Sequence, residues 1–372
     1  MAVGDIYKLR LESIAAGGDA LGRFDGKPVF VEAGAPDEAV VCRVTMENKS
    51  YRKAELLEII EPSALRVNSP CVFYGKCGGC NLAHINYEAQ LAIKASILKE
   101  TLVKIGGLQP PEPEIFASPP WEYRNRMQFH CIRQSQKFGL KERASARIIP
   151  VTDCPVAATG IRELLRSGEL PLPPEKDRFT VFSKDTILLS ESGQKRGKIK
   201  LLDKEISLDA GLFFQSNCFM LEKLILELRK IAEDTDKSLP MADLYCGVGT
   251  FAVFLCDLFP KIILAEENKT AISIARENLK GINAEFFALR DTDWPRVLNK
   301  MDFGFAVVDP PRTGLSLKLD GPAVLAYVSC DAASLARDAK SLLESGYKLK
   351  KIMLFDFYPQ TAHIESLAVF EK

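Results

Sequence analysis

From residue 211 to the C-terminus the chain alternates helical stretches with short apolar runs. LEKLILELRKIAED and SLARDAKSLLES read as helices, whereas MADLYC, KIILAEEN, FGFAVVDPP and LAYVSCD read as strands. Parallel strands need a long crossover connection, usually a helix, so this alternation confines the C-terminal part to a βαβ architecture with a parallel sheet. The run MADLYCGVGTF tightens the constraint. A strand ending at Asp243-Leu244-Tyr245 enters a Gly-x-Gly turn at Gly247 and Gly249 and leaves as a helix. Glycines in such a turn let the backbone approach a ligand at the carboxyl end of the first strand.

Glu266, in IILAEEN, falls about twenty residues further on, where an acid bonds ribose hydroxyls. The ligand is a dinucleotide or S-adenosylmethionine. No second mononucleotide-binding half follows, and this segment has only about 160 residues, which favours S-adenosylmethionine. Asp243 is either part of that site or a strand-end cap. Asp309 ends the strand FGFAVVDPP, and Pro310-Pro311 fix its carboxylate at the sheet edge where open α/β sheets bind ligands. Cys330 ends the strand LAYVSCD just before a helix, whose dipole is expected to stabilise a thiolate and make a nucleophile. The plainer alternative is a buried strand-end thiol. Glu365, in YPQTAHIES, precedes the apolar run SLAVF; an acid beside apolar residues keeps its proton longer and suits a base, unless this is a solvated turn.

A chain of 372 residues has room for two or three domains. Residues 1–62 read as four or five short strands separated by Gly17-Gly18-Asp19, Asp25-Gly26 and Gly34-Ala35-Pro36, which suggests an oligonucleotide-binding type of barrel. Residues 63–210 form a central α+β unit with a Cys-rich loop, a helix over NYEAQLAIKASILKETLVKIGG with Leu91, Ile97 and Leu98 on its apolar side, and short β-like runs. Residues 211–372 are the third unit. The fold class expected is multidomain α/β. Lys plus Arg equals Asp plus Glu at 49 each, which excludes a general polycation but not a local basic face. Such a face is offered by residues 121–147, where seven basic residues meet two acids and Trp121, Tyr123, Phe129 and Phe138 interleave as candidate base-stacking rings. The alternative is a solvated strand face. No signal-like start and no apolar run of spanning length are found, so a cytoplasmic protein free of the membrane is expected, as a monomer.

Cys71-x5-Cys77-x2-Cys80, with Gly78-Gly79 between the last two, makes a loop able to wrap an ion or cluster. Thiolates select zinc or iron–sulfur, and spacing does not choose between them. A fourth ligand would come from Cys154, which precedes a proline, or from His84.

DLYCGVGTF, DPPRTG, YVSCDAASLARD and HIES, in that order, together with CVFYGKCGGC and the later DCPV, resemble the motifs of the RNA uridine-5 methyltransferase family in its iron–sulfur branch, over nearly the whole chain. The resemblance implies a Rossmann-like methyltransferase domain, an N-terminal TRAM RNA-binding barrel, and a [4Fe-4S] cluster on Cys71, Cys77, Cys80 and Cys154. It implies S-adenosylmethionine held by Gln215, Tyr245, Glu266 and Asp309 above the Gly247–Gly249 loop, with Cys330 as nucleophile and Glu365 as base. It also implies an RNA substrate, 23S ribosomal RNA before transfer RNA. Tyr245, Thr250 and Ala362 depart from the family's usual residues. The competing readings are an iron–sulfur oxidoreductase using the same glycine loop and an RNA-binding protein with a zinc clip.

Overall fold

The computed structural model describes residues 3–298, 301–316, 319 and 321–372; residues 1 and 2 of the expected barrel lie outside them. Strands β1 (Ile6–Ile14), β2 (Ala20–Phe24), β3 (Lys27–Val31), β4 (Ala39–Glu47) and β5 (Arg52–Glu61) close a barrel in the order β1-β2-β3-β5-β4. The alternation read in β1 is real: Tyr7, Leu9 and Leu11 point into the barrel while Lys8 and Arg10 face solvent. Val29, Val31, Val40 and Cys42 fill the interior.

Helix α1 (Tyr87–Lys104) starts at Asn86, whose side chain accepts the Ala89 N–H at 2.9 Å. Its buried stripe shares only Leu98 with the one expected. Gln90, Lys94, Leu98 and Leu102 are buried at successive i+4 positions, while Leu91 and Ile97 are half-buried. Two polar residues thus occupy the inward face, and both meet polar partners described below. Strand β6 (Glu114–Phe116) follows. Next come β7 (Arg126–Ile132), β8 (Lys137–Lys141), β9 (Ile148–Ile149), helix α2 (Thr159–Ser167), β10 (Arg178–Lys184) and β11 (Ile187–Ser190), whose strands form a sheet in the order β11-β10-β7-β8-β9. Strands β12 (Arg196–Leu201) and β13 (Lys204–Asp209) make a separate hairpin.

The interleaved aromatics of 121–147 are corrected by this sheet. Tyr123, Phe129 and Phe138 are buried, and Phe129 packs edge-on against Phe138 at 5.2 Å, so they build the core rather than a stacking platform. Only Trp121 stays half-exposed. The basic residues are also less free than expected: Arg124 and Arg126 are half-buried, Arg133 pairs with Asp177 and Arg143 with Glu32. Period-two alternation sent the rings inward on β7 and β8 and left Gln128, Lys137 and Lys141 outside.

The remaining elements are α3 (Cys218–Glu233), β14 (Met241–Leu244), α4 (Thr250–Leu255), β15 (Ile262–Glu266), α5 (Lys269–Asn278), β16 (Ala284–Ala288), α6 (Pro295–Leu298), β17 (Phe305–Val308), β18 (Val324–Ser329), α7 (Ala332–Glu344), β19 (Lys348–Phe355) and β20 (Glu365–Glu371). The sheet order is β16-β15-β14-β17-β18-β20-β19-β6. From β16 to β18 all neighbours are parallel, as the βαβ alternation requires. The sheet is mixed, however, because β20 returns antiparallel between β18 and β19. A short loop rather than a helix joins β19 to β20, and such a connection can only make an antiparallel pair. Residues 87–116, within the expected central unit, dock on this sheet: β6 pairs with β19, and α1 packs on α7, with Leu98 and Leu102 beside Leu335, Ala336 and Ala339. Among the described residues no helix is long and apolar enough to cross a membrane.

Candidate active site

Chain order reverses in the sheet beside β14, where β15 lies on one side and β17 on the other. Crevices at such switch points are where open α/β sheets bind ligands. A cavity of about 510 Å³ opens there. Its lining includes Gln215, Tyr245, Gly247, Glu266, Asp309, Cys330 and Glu365, drawn from the carboxyl ends of β14, β15, β17 and β18, the start of β20 and the loop before α3.

The strand register explains how Cys330 and Glu365 meet. Ser329 on β18 lies opposite Ser366 on β20. One step along an antiparallel pair sets Cys330 across from Glu365. The glycine turn divides in two. Gly247 (φ 54°) has open space where a Cβ would stand, and its N–H donates to Glu266 Oε2 at 3.3 Å. Gly249 does not line the cavity. Its φ is 78°, and a Cβ there would lie 3.2 Å from Ala275 Cβ, so it serves the packing of α4 on α5. Asp243 is likewise withdrawn and accepts the Ala252 N–H at 3.0 Å, the capping alternative; burial pushes its carboxyl up to about 8.

Tyr245 takes a left-handed backbone (φ 60°), stacks edge-on against Trp294 at 4.5 Å, and donates its hydroxyl to Asp291 at 3.1 Å. Gln215 donates to Asp309 Oδ2 at 3.2 Å, and its own carbonyl oxygen is buried without a partner among the described residues. A buried unpaired acceptor facing a cavity suits a ligand donor. Sequence reasoning did not single out Phe213 or Trp294 as site residues. Phe213 is 62% exposed beside buried Phe214. The FFQSN segment held the signal, since the first ring of an aromatic pair leading into a helix cap is left over once the second is buried.

The electrostatics overturn one expectation. Cys330 was expected to be acidified by the dipole of α7. Instead burial, then Glu365 and Asp309, push its thiol up to about 12, against a weak pull from Arg312. The helix begins only at Ala332, and the Asp331 carboxylate caps it by accepting the Ser334 N–H at 2.8 Å. Asp309 is pushed up to about 7 by burial, and Glu365 well above its ordinary value by burial and then by Asp309. Burial holds His363, at the same cavity, down to about 4.

Elsewhere, Cys71, Cys77, Cys80 and Cys154 line one small cavity together with Phe73, Met127, Val151 and Arg124. The structure therefore brings the four together. His84 is not among the lining residues; its ring bonds Tyr74 and the Gly34 carbonyl. Burial raises the Cys80 thiol to about 12 and the Cys154 thiol to about 11, with Cys154 repelling charge on Cys80 and Arg124 opposing both. Among the described residues no group of three or more His, Cys, Asp or Glu stands where it could hold a single metal ion.

The family model described as tRNA (uracil-5-)-methyltransferase matches residues 184–289 and 282–372. The chain belongs to the RNA uracil-5-methyltransferase family. This methyltransferase is 36% identical to an RNA methyltransferase of Treponema denticola described as uncharacterized, over 94% of either chain. It is 29% identical to the 23S rRNA (uracil(1939)-C(5))-methyltransferase RlmD of Shewanella piezotolerans, over 97% of this chain and 94% of that one. Its fold matches the crystal structure of the Pyrococcus abyssi tRNA (uracil-54, C5)-methyltransferase in complex with S-adenosyl-L-homocysteine, at a TM-score of 0.77 and 24% identity, covering 98% of this chain and 100% of that one.

Proposed function

We propose that this methyltransferase uses S-adenosylmethionine to methylate carbon 5 of a uridine in 23S ribosomal RNA. The observation that carries the reading is the shared cavity: a thiol and a carboxyl face each other across β18 and β20, within the same lining as Gln215, Tyr245, Glu266 and Asp309. The RlmD relatives, similar along nearly their whole length, support ribosomal RNA as the substrate.

The residues fit that cofactor. Glu266 stands at the end of the second strand where ribose hydroxyls are met, and Gly247 leaves room above the turn. When bound, S-adenosylmethionine supplies a methyl group on a positively charged sulfonium, and its charge favours the ionised forms of the surrounding acids and thiol. Cys330 Sγ, as thiolate, adds to carbon 6 of the uracil, and the double-bond electrons pass toward the carbon 4 oxygen, leaving carbon 5 electron-rich. Once carbon 5 is methylated, Glu365 removes its proton. The electrons restore the double bond and the carbon 6–sulfur bond breaks, returning the thiolate. Covalent catalysis thus divides one hard step into easier ones. Burial and Asp309 raise the proton affinity of Glu365, which makes its carboxylate a stronger base than an exposed one. A base must leave its stack to reach this cavity, and the exposed ring of Phe213 at the lining offers it a face.

The four cysteines would hold a [4Fe-4S] cluster. An all-thiol donor set around one cavity supports it, and a four-iron core, bulkier than one ion, needs its ligands further apart than zinc does. When bound, the cluster supplies a covalent tie between the Cys71–Cys80 loop and the segment at Cys154.

The test is nucleoside mass spectrometry on ribosomal and transfer RNA from cells with and without the gene. Loss of 5-methyluridine from ribosomal RNA is expected. Loss from transfer RNA alone would keep the chemistry and replace the substrate. No change in either would remove the reading.

A further inference from the structure

The loop between β19 and β20 delivers Tyr358, His363 and Glu365 to the cavity. At its centre Gln360 is buried and left-handed, with φ 68°. A non-glycine residue holds such a backbone only where its surroundings over-determine it. Here they do. Gln90 of α1 accepts the Gln360 N–H at 2.9 Å and donates to its side-chain oxygen at 3.0 Å. The Asn81 and Leu82 N–H groups both donate to the Gln360 carbonyl, at 3.1 and 2.9 Å.

Asn81 directly follows Cys80 and ties three parts of the molecule. Its Oδ1 accepts the Ala362 N–H at 2.9 Å, and its Nδ2 donates to the Gly17 carbonyl of the barrel at 2.8 Å. The barrel turn is built around this side chain. Gly18 has φ 92°, and a Cβ there would stand 2.3 Å from Asn81 Nδ2 and 3.1 Å from Ala362 Cβ. Barrel, cysteine loop and catalytic loop therefore meet at one carboxamide.

We propose that Asn81 is a positioning residue for proton abstraction: through Ala362 it fixes the loop that aims Glu365, and so gives the cysteine loop a mechanical part in catalysis. The inference rests on the reading of Glu365 as the base. Misplacing a reacting group by about 1 Å can lower a rate by about 100-fold, so a loss confined to one step is expected rather than a loss of binding.

The experiment compares Asn81→Ala, Asn81→Asp and Gly18→Ala with Glu365→Gln in the full-length protein. It measures kcat, KM for RNA, the dissociation constant for S-adenosylmethionine by calorimetry, and covalent protein–RNA adduct on denaturing gels. Asn81→Ala is expected to lower kcat about 10- to 100-fold, leave cofactor affinity within about twofold, and accumulate adduct, because the slowed step follows bond formation at carbon 6. Asn81→Asp keeps the oxygen that accepts the Ala362 N–H and should recover most of kcat. Gly18→Ala reaches the joint from the barrel and should reproduce the Asn81→Ala pattern even if that variant fails to fold. An unchanged kcat in Asn81→Ala, or equal losses in the Asp and Ala variants together with lost cofactor binding, would overturn the proposal. Normal turnover by Glu365→Gln would instead remove the base assignment beneath it, while adduct accumulation there alone would leave the base in place and reject the joint.

Discussion

The catalytic cavity and the cysteine cavity each contain a thiol pushed up to about 12, Cys330 in one and Cys80 in the other, and burial is the largest cause in both. Their neighbours differ. Around Cys330 stand two carboxyls, Glu365 and Asp309, and the Arg312 guanidinium, in a cavity of about 510 Å³. Around Cys80 stand other thiols and Arg124, among apolar side chains. A cationic ligand relieves the first arrangement, because it compensates the carboxylates and the thiolate together. A bound metal would relieve the second, since a coordinated thiol gives up its proton outright. Similar proton affinities thus mark one cavity fitted to a visiting cation and, on the proposed reading, one fitted to a resident cluster.

The strongest way to break the comparison is to remove each thiol in turn. Cys330→Ala should reduce methyl transfer by at least roughly 10⁴-fold, the scale of losing a covalent nucleophile, with thermal unfolding unchanged. Cys80→Ala should lower the unfolding temperature and reduce methyl transfer less. Transfer of labelled methyl groups to RNA and thermal melts check both, and the opposite assignment of effects would reverse the roles given to the two cavities.

Next in size is the ion pair at the root of the catalytic loop. Lys94 Nζ meets Asp356 Oδ1 at 2.6 Å and the Tyr358 carbonyl at 3.0 Å, with both charged side chains fully buried. Burial pulls the Lys94 ammonium down and Asp356 holds it up. Lys94→Met leaves a buried carboxylate without its cation and should cost about 3–5 kcal/mol in urea unfolding, whereas replacing both partners with apolar residues should recover most of it. Recovery of stability without recovery of methyl transfer would show that the pair places the loop as well as holding the fold.

Phe213→Ala comes third. A base–aromatic stack contributes about 1–3 kcal/mol, so RNA affinity should fall roughly 5- to 150-fold while cofactor affinity stays constant. Fluorescence anisotropy with labelled RNA at fixed salt checks it. Equal affinity would mean that the exposed ring meets something other than a base.

These sites were unequally legible in the sequence. The βαβ alternation, the glycine turn and the acids at strand ends are local patterns, and seven of the eight residues ascribed to cofactor and catalysis line the cavity; Gly249, used for packing, does not. The four cysteines could be named because thiols are scarce and clustered. Their convergence with Cys154 needed the fold. What local patterns could not show were effects that depend on partners. Lys94 and Gln90 sit on an apolar stripe, and only Asp356 and Gln360, far along the chain, explain why they are tolerated there. The rings of β7 and β8 read as a stacking surface, with a solvated strand face as the alternative, and the sheet made them core instead. The Cys330 thiol failed for the same reason. Helix proximity is visible in sequence, but the burial and the two opposing carboxyls are not.

That last failure gives the finest test of the comparison. If Glu365 helps to hold the Cys330 proton, Glu365→Gln removes a negative neighbour without removing volume, and the thiol should ionise at lower pH. The sign follows from the charge: less repulsion of the thiolate means more thiolate at any fixed pH below the thiol's own value. Alkylation by iodoacetamide near pH 9, followed at Cys330 by peptide mass spectrometry, should therefore quicken about threefold to tenfold, within the 1.4 kcal/mol that one unit of proton affinity represents. Cys80, whose opposing neighbours are thiols, should show no change in the same sample. A faster reaction at both cysteines would mean that the substitution had opened the fold, and no change at Cys330 would mean that burial alone holds its proton. Adding S-adenosylmethionine to the unsubstituted protein should act in the same direction as Glu365→Gln at Cys330 and leave Cys80 untouched, because the positive charge enters only the cavity built to receive it.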